Sequence, residues 1–252
     1  MIDLHTHLLP NIDDGSSSVE QSVEVLRRMG ELGIESVALT PHVTAMELVE
    51  GAEGAVQRRD RAFRGLEPAV PSVPKLLLGF EIMLDQPLPA LALGDRRLSL
   101  NQSRYYLVEF PLGVVTGFAT TVLAQIARSG VVPVVAHPER YDECSAAVVR
   151  AWREVGAKIQ VDGTTLVRPG VRGRRARELV EQGLADFLAS DNHGGRRTVA
   201  TGRAYLEELG HAAVARLLTE ENPRAVVEDR HLVPVPPVEL KGGVLERIRR
   251  LL

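Results

Sequence analysis

The chain has 252 residues, 44% of them apolar and 25% charged, which allows a substantial core and excludes disorder throughout. Basic and acidic residues nearly cancel at a net charge of -3, arguing against a dedicated nucleic-acid binder. The single cysteine excludes an intrachain disulfide framework and any cysteine-rich zinc or iron–sulfur module.

The opening MIDLH reads as a short strand, too short and polar to be a signal peptide or a membrane span. A cytoplasmic protein without stable membrane insertion is the expectation. Ser16 to Ser18 can cap a helix running to about Met29, with Val19, Val23, Leu26 and Met29 on its apolar face. SVALT (Ser36 to Thr40) is the next strand, and an Arg/Glu-rich helix spans Ala52 to Leu66. Pro68, Pro71 and Pro74 break the chain before the strand KLLLGFEIM. The spacing then predicts strands at Tyr105–Phe110, Val131–Ala136, Lys158–Val161 and Phe187–Ala189. Helices are predicted at Thr116–Arg128, Ala146–Val155, Arg174–Glu181, Val199–Leu209 and Ala212–Leu218.

Strands alternating with helices imply parallel staves joined by crossover helices. Polar residues follow almost every strand, which favours a closed or nearly closed barrel with its chemistry at one end. One domain over residues 1–252 is expected. Residues 233–252, with three prolines, a glycine pair and a short helix, form a C-terminal appendage on the barrel or on a partner.

His5 and His7, two apart on the first strand, present both rings to one face. His42 closes TPH, Glu81 ends GFE, and Glu109 lies in the apolar run YYLVEF. His137 follows VVPVVA, and Asp191 and His193 follow FLAS. Each of these, alone, has an ordinary structural explanation. Together, Asp14, Glu81, Glu109 and Asp191 bring four carboxylates toward one barrel end, where mutual repulsion costs stability unless cations join them. Imidazole mixed with carboxylate suits Mn, Zn or Fe and points to a multinuclear metal hydrolase. Arg140 in HPER and Arg196 and Arg197 in GGRR stand beside those residues and can hold phosphate oxygens. Cys144 and Arg150 share the C-x5-R spacing of cysteine-dependent phosphatases, but the intervening SAAVV lacks glycine and leads into a helix, so it cannot cradle phosphate.

The runs DLHTHLLPNIDDG, TPH, GFE, EFP, HPER and SDNH, in that order, resemble the PHP (polymerase and histidinol phosphatase) superfamily. DDG after the first histidine pair, EFP and HPER resemble its bacterial manganese-dependent tyrosine-protein phosphatase branch, from capsule and exopolysaccharide operons. The resemblance implies a distorted (β/α)7 TIM-like barrel holding three divalent metal ions, manganese as first choice and iron or zinc as the alternatives. By that pattern His5, His7, Glu81 and Asp191 hold one ion. Glu81 bridges to a second, shared with Glu109 and His137, and Asp14, His42 and His193 hold the third. Arg140 matches the arginine after HPE. The loop after His193 is shorter than the family's, which leaves open whether Arg196 or Arg197 meets phosphate. The implied partner is the phosphotyrosine-bearing tail of a bacterial tyrosine autokinase.

The expected reaction is direct phosphomonoester hydrolysis by a metal-bound hydroxide, with no covalent enzyme intermediate. Tyr141 and Phe118 are the aromatic candidates for stacking on a tyrosyl ring. The alternative is a histidinol-phosphate or other small-molecule phosphatase of the same superfamily. An amidohydrolase using Lys158 as a carbamate bridge, a nuclease, and a non-catalytic binding barrel are further readings.

Overall fold

The computed structural model describes residues 1–70 and 72–240. Among the described residues nine strands build two sheets, β1-β2-β4 and β3-β5-β6-β7-β8-β9: β1 (Ile2–Thr6), β2 (Ser36–Leu39), β3 (His42–Thr44), β4 (Lys75–Leu78), β5 (Glu81–Met83), β6 (Tyr105–Glu109), β7 (Val132–Ala136), β8 (Lys158–Asp162) and β9 (Phe187–Ala189). Two predicted strands are each split in two, by Thr40-Pro41 and by Gly79-Phe80. The breaks lie side by side, and Gly79 N donates to Leu39 O (3.1 Å) and Glu81 N to Pro41 O (3.1 Å) across them. A side chain at Gly79 would press on Leu100 and Ser99, so glycine allows the bend. With β2–β3 and β4–β5 each counted as one stave, seven parallel staves run in chain order.

The first and last staves meet through a short seam rather than a full ladder. Asp191 N donates to His5 O (2.9 Å) and His7 N to Asn192 O (2.8 Å), beside a single bridge between Thr6 and Asn192. Deeper in the seam, Asp3 Oδ1 accepts from Ser190 N (3.0 Å), a carboxylate standing where a strand carbonyl would. The chain thus forms a distorted parallel α/β barrel.

Crossover helices cover the outside: α1 (Val19–Glu31), α2 (Glu53–Leu66), α3 (Thr116–Arg128), α4 (Ala146–Glu154), α5 (Gly170–Glu181) and α6 (Val199–Glu208). Ser18 caps α1 by accepting from Gln21 N, and Ser22, Val25, Leu26 and Met29 form its buried stripe. Between β5 and β6 the crossover carries only short 3-10 turns. After β9 come α6, α7 (Ala212–Arg216), a π-turn at Leu217–Glu221 and α8 (Asn222–Val227), where the sequence predicts two helices ending at Leu209 and Leu218 and no helix between there and the appendage. Pro223, early in α8, lacks the N–H that would continue an ordinary helix.

Side chains alternate between two cores. Leu39, Ile82, Tyr106, Val108, Val135, Ile159 and Leu188 belong to the larger one, which includes the helices. Ile2, Leu4, Ala38, Leu77, Leu107, Val134 and Phe187 pack against one another in the smaller one, with Val226 of α8 beneath them. Following that inward parity toward the strand C-termini, Leu77 gives way to Glu81, Leu107 to Glu109, and Gln160 is succeeded by Asp162. The first stave reaches the same level by a bulge: its register with β2 slips between Asp3 and Thr6, so Leu4 and His5 together face the Ala38 position. Without that extra residue, His5 would follow Asp3 to the outside.

Residues 233–240 of the appendage lie on the barrel. Val235 and Leu240 are buried, and Val238 N donates to Glu181 O (2.9 Å). Gly183, at φ 64°, leaves room for the Val235 carbonyl, which a Cβ would meet at 2.4 Å. The expected short helix of the appendage lies outside the described residues.

Candidate metal centre

The bulge aims His5 into the barrel mouth, and His7 follows with the same parity. Their Nε2 atoms stand 3.1 Å apart. Glu81 Oε2 lies 3.1 Å from His5 Nε2 and 3.2 Å from His7 Nε2, and Asp191 Oδ1 lies 3.4 Å from each. On its other oxygen Glu81 meets His137 Nε2 at 3.0 Å, with Glu109 Oε2 4.0 Å from that same nitrogen. His42 sits between groups: Nδ1 lies 3.2 Å from Glu81 and 3.1 Å from Glu109, while Nε2 approaches Asp14 at 3.4 Å. Asp14 is also 3.5 Å from His193 Nε2. All nine candidate ligands selected from the sequence therefore converge, and within 4.8 Å their atoms form three overlapping sets. The sets are His7, Asp14, His42 and His193; His5, Glu81, His137 and Asp191; and His42, Glu81 and Glu109. Unlike the groupings the resemblance implies, His7 joins the Asp14 set, His137 joins the His5 set, and His42 belongs to two sets.

Backbone strain helps to place two of them. His137 and Asp191 adopt left-handed φ values of 33° and 48° at the ends of β7 and β9, conformations costly for residues other than glycine. Each turns its side chain back over the mouth instead of continuing the strand.

The chemistry of the donors fits cations. Glu81 Oε2, Glu109 Oε1 and Asp191 Oδ1 are buried without a hydrogen-bond partner, although imidazole nitrogens stand 3.1–3.4 Å away. Such approach without hydrogen-bond geometry is how ligands of one cation sit. Burial alone would raise the Glu81 carboxyl, but His5, His137 and His7 hold it well below the usual range. Asp191 is likewise held low against its burial by His5, His7 and Arg140. Burial and the charge of His7 lower His193, keeping a lone pair for ligation near neutral pH.

Supporting residues escaped the sequence reading. Asp13 Oδ2 holds His7 Nδ1 at 2.8 Å and accepts from His42 N (3.2 Å), fixing which His7 nitrogen faces the centre. Gln160 Oε1 does the same for His5 Nδ1 at 3.0 Å. Asp162 joins the arginines: Arg140 Nη2 donates to it at 3.1 Å, and Arg197 Nη2 is also bound to it. Both guanidinium groups reach Asp191 Oδ2 as well, Arg197 at 3.3 Å. Asp191 therefore splits its oxygens, one toward imidazoles and one toward arginines. Glu139, fully buried behind Asp162, is pushed up to about 8 by burial and by that neighbour. In sequence Asp13 is distinguished only by its place in DDG, and Gln160 and Asp162 look like ordinary alternating strand residues.

Four expectations change. Arg197 reaches the centre, whereas Arg196 is exposed and makes no ion pair among the described residues. Asn192 shapes that loop, accepting from Gly195 N (2.9 Å) and donating to Arg197 O (2.5 Å). Tyr141 cannot stack on a substrate: it is buried between Phe110 and Trp152, its hydroxyl donating to Ala136 O and accepting from Phe110 N. Phe118 is exposed on α3, outside the residues that line the centre. Lys158 lies 3.9 Å from Asp186 and joins no ligand set.

Cys144 is buried just before α4, and burial pushes its thiol up to about 12. Arg150 is turned to Gln182 Oε1 (2.5 Å). Cys144→Ser is therefore expected to keep kcat within about twofold, since a protonated thiol away from phosphate contributes no nucleophile. A fall of more than tenfold with metal content intact would contradict this.

A cavity of about 380 Å³ opens over Glu81, Glu109, His137 and Asp191, with Thr44 and Met83 in its wall and Arg140 at its edge. Residues 1–228 match the family model described as capsular polysaccharide synthesis, CpsB/CapC. The chain is 30% identical to the tyrosine-protein phosphatase YwqE of Bacillus subtilis, covering 96% of this chain and 97% of that protein. It is 29% identical to the tyrosine-protein phosphatase CpsB of Streptococcus pneumoniae, over 91% and 99% of the two chains. A crystal structure from work on YwqE and CpsB, described as unique metal-dependent tyrosine phosphatases, superposes with a TM-score of 0.76. It does so at 27% identity, over 95% of this chain and all of that one. Barrel, ligand order and full-length similarity agree, and the chain belongs to the CpsB/CapC family of capsular polysaccharide synthesis proteins.

Proposed function

We propose that this protein is a metal-dependent protein-tyrosine phosphatase that hydrolyses phosphotyrosine on a flexible segment, its partner being the tail of a bacterial tyrosine autokinase. The carrying observation is the convergence of nine imidazole and carboxylate ligands on one mouth edged by Arg140 and Arg197. The reading includes three divalent ions, with manganese the first choice for this donor mixture. His5, His7, Asp14, His42, Glu81, Glu109, His137, Asp191 and His193 would hold them. When bound, such ions acidify water and neutralise phosphate oxygens.

The protein's own groups do the rest. Asp13 and Gln160 fix the rings of His7 and His5, so the ligands need no reorganisation. Arg140 spends one nitrogen on Asp162 and Asp191, and its remaining N–H donors can take phosphate oxygens as charge develops. Arg197 holds the same Asp191 oxygen and shares that role. A tyrosyl leaving group has a free pKa near ~10, which makes it a better leaving group than a serine alkoxide.

A kcat/KM panel in manganese tests the reading, because selectivity is differential transition-state binding. A phosphotyrosyl peptide is expected to exceed a phosphoseryl peptide and histidinol phosphate by about tenfold or more. Histidinol phosphate winning by that margin would leave the metal site standing and remove the tyrosine assignment. Cleavage of a single-stranded oligonucleotide alone would make the protein a nuclease.

A further inference from the structure

Beside the metal centre, and sharing Arg140 with it, lies a second cavity of about 410 Å³. Arg140, Arg168, Arg172 and Arg197 line it, with Asp162 as its carboxylate and Val171 on its apolar side. Arg140 and Arg197 are already neutralised by Asp162 and Asp191. Arg168 and Arg172 are exposed and form no ion pair among the described residues, so the groove carries uncompensated positive charge on a protein whose net charge is -3. The groove wall is also fixed in place. Arg168 N donates to Thr165 O (3.0 Å), and Arg177 Nη1 binds the carbonyls of Leu166 (2.6 Å) and Arg168 (3.1 Å). Gly173 lets the Arg168 carbonyl approach so closely that any Cβ there would collide with it. The same wall contains the start of α5, which has no side-chain cap and no acidic residue in its first turn, adding the partial positive charge of a helix N-terminus.

We propose that this groove binds an acidic stretch of the substrate polypeptide, aspartate or glutamate residues adjoining the phosphotyrosine that enters the metal centre. The inference rests on the phosphatase reading for the identity of the neighbouring residue. Planar guanidinium groups on the turn at Arg168 and the first turn of α5 pair with carboxylates in two-point geometry, and the sharing of Arg140 makes groove and centre continuous, so one extended chain can occupy both. The apolar face of Val171 offers contact to the intervening residue. Exposed arginines at such a rim change affinity more than chemistry.

The experiment compares the metal-loaded wild type with Arg168→Gln/Arg172→Gln. The substrates are a phosphotyrosyl peptide flanked by aspartate and glutamate, the same peptide flanked by serine and glutamine, and p-nitrophenyl phosphate. The wild type is expected to prefer the acidic peptide by about fivefold or more, through KM, and the double variant to lose that preference while p-nitrophenyl phosphate turnover stays within about twofold. Fluorescence anisotropy of the unphosphorylated acidic peptide supplies a readout independent of turnover, with the same preference expected, weakened by added salt. Equal handling of both flanks by the wild type, or a preference that survives the double substitution, would overturn the proposal. Tighter binding of a single-stranded oligonucleotide, lost in the double variant, would reassign the groove to nucleic acid. Selective binding of the acidic peptide without hydrolysis of any phosphotyrosine would sink the phosphatase reading alone. Hydrolysis without flank preference would sink this inference alone.

Discussion

Glu81→Ala is expected to lower phosphoester turnover by about 10³-fold or more, which is about 4 kcal/mol or more of transition-state stabilisation. Glu81 is fully buried and lies within 3.0–3.2 Å of His5, His7, His42 and His137, so it belongs to two of the three sets of candidate ligands. Elemental analysis of the manganese-loaded wild type should find about two to three divalent ions per chain, and fewer in the variant. Glu81→Gln keeps the volume and removes only the charge, which separates lost ligation from a collapsed pocket. Chelation should act in the same direction on stability. At free metal about a hundredfold above Kd, binding contributes about 2.7 kcal/mol, and a chain of this size shifts its Tm by about 2–4 °C per kcal/mol. Chelated protein should therefore melt below loaded protein by about 5–11 °C for each ion so bound. Less than one ion per chain under metal-replete conditions, or Glu81→Ala retaining a tenth of wild-type turnover, would contradict the metal centre.

The second large effect concerns Arg140. Arg140→Ala removes a charged donor from the edge of the cavity and should lower kcat by about 10²–10³-fold, the scale of about 2.7–4 kcal/mol seen for a lost transition-state donor. Because Arg140 also grips Asp191, a metal ligand in this reading, the substitution could act on the centre instead of on phosphate. Arg197 remains 3.3 Å from the same carboxylate oxygen, so the metal complement is expected to survive. Arg140→Lys should recover only part of the loss, since a single ammonium cannot meet Asp162, Asp191 and a phosphate oxygen together. Steady-state constants unchanged by Arg140→Ala would reduce Arg140 to a rim residue.

The residues most readable from sequence are those that interrupt an apolar pattern. Glu81 interrupts a run of buried residues at the start of β5 and Glu109 ends β6, where the inward face changes from hydrocarbon to carboxylate, and His137 and Asp191 stand just past such runs. Parity predicts a shared face for His5 and His7, but not the bulge that turns both into the barrel, because an extra residue leaves no mark in alternation. Gln160 and Asp162 obey the alternation of β8 without disturbing it, so only ring closure reveals that one supports His5 and the other the arginines. Tyr141 misled for the opposite reason. Its place after Arg140 suggests the site, while the hydrogen bonds and aromatic packing that bury it come from residues distant in sequence. Helix ends with a Ser cap, as in α1 and α4, were legible to within a few residues. The π-turn ahead of α8 was not, since local propensity continues across it.

The seam between β1 and β9 also sets when the site can exist during synthesis. Asp3 and the Ser190 amide that it accepts from are 187 residues apart, and the His5 and His7 backbones pair with residues beyond β9. Pairing with β2 can set the register of β1 early, yet the other edge of that strand stays unpaired until β9 and the residues after it have been made. Contacts of such separation form late and slowly, because the loop entropy is lost before any of them is gained. The convergence of His5 with Asp191, and of His7 with His193, is thereby deferred to a finished barrel.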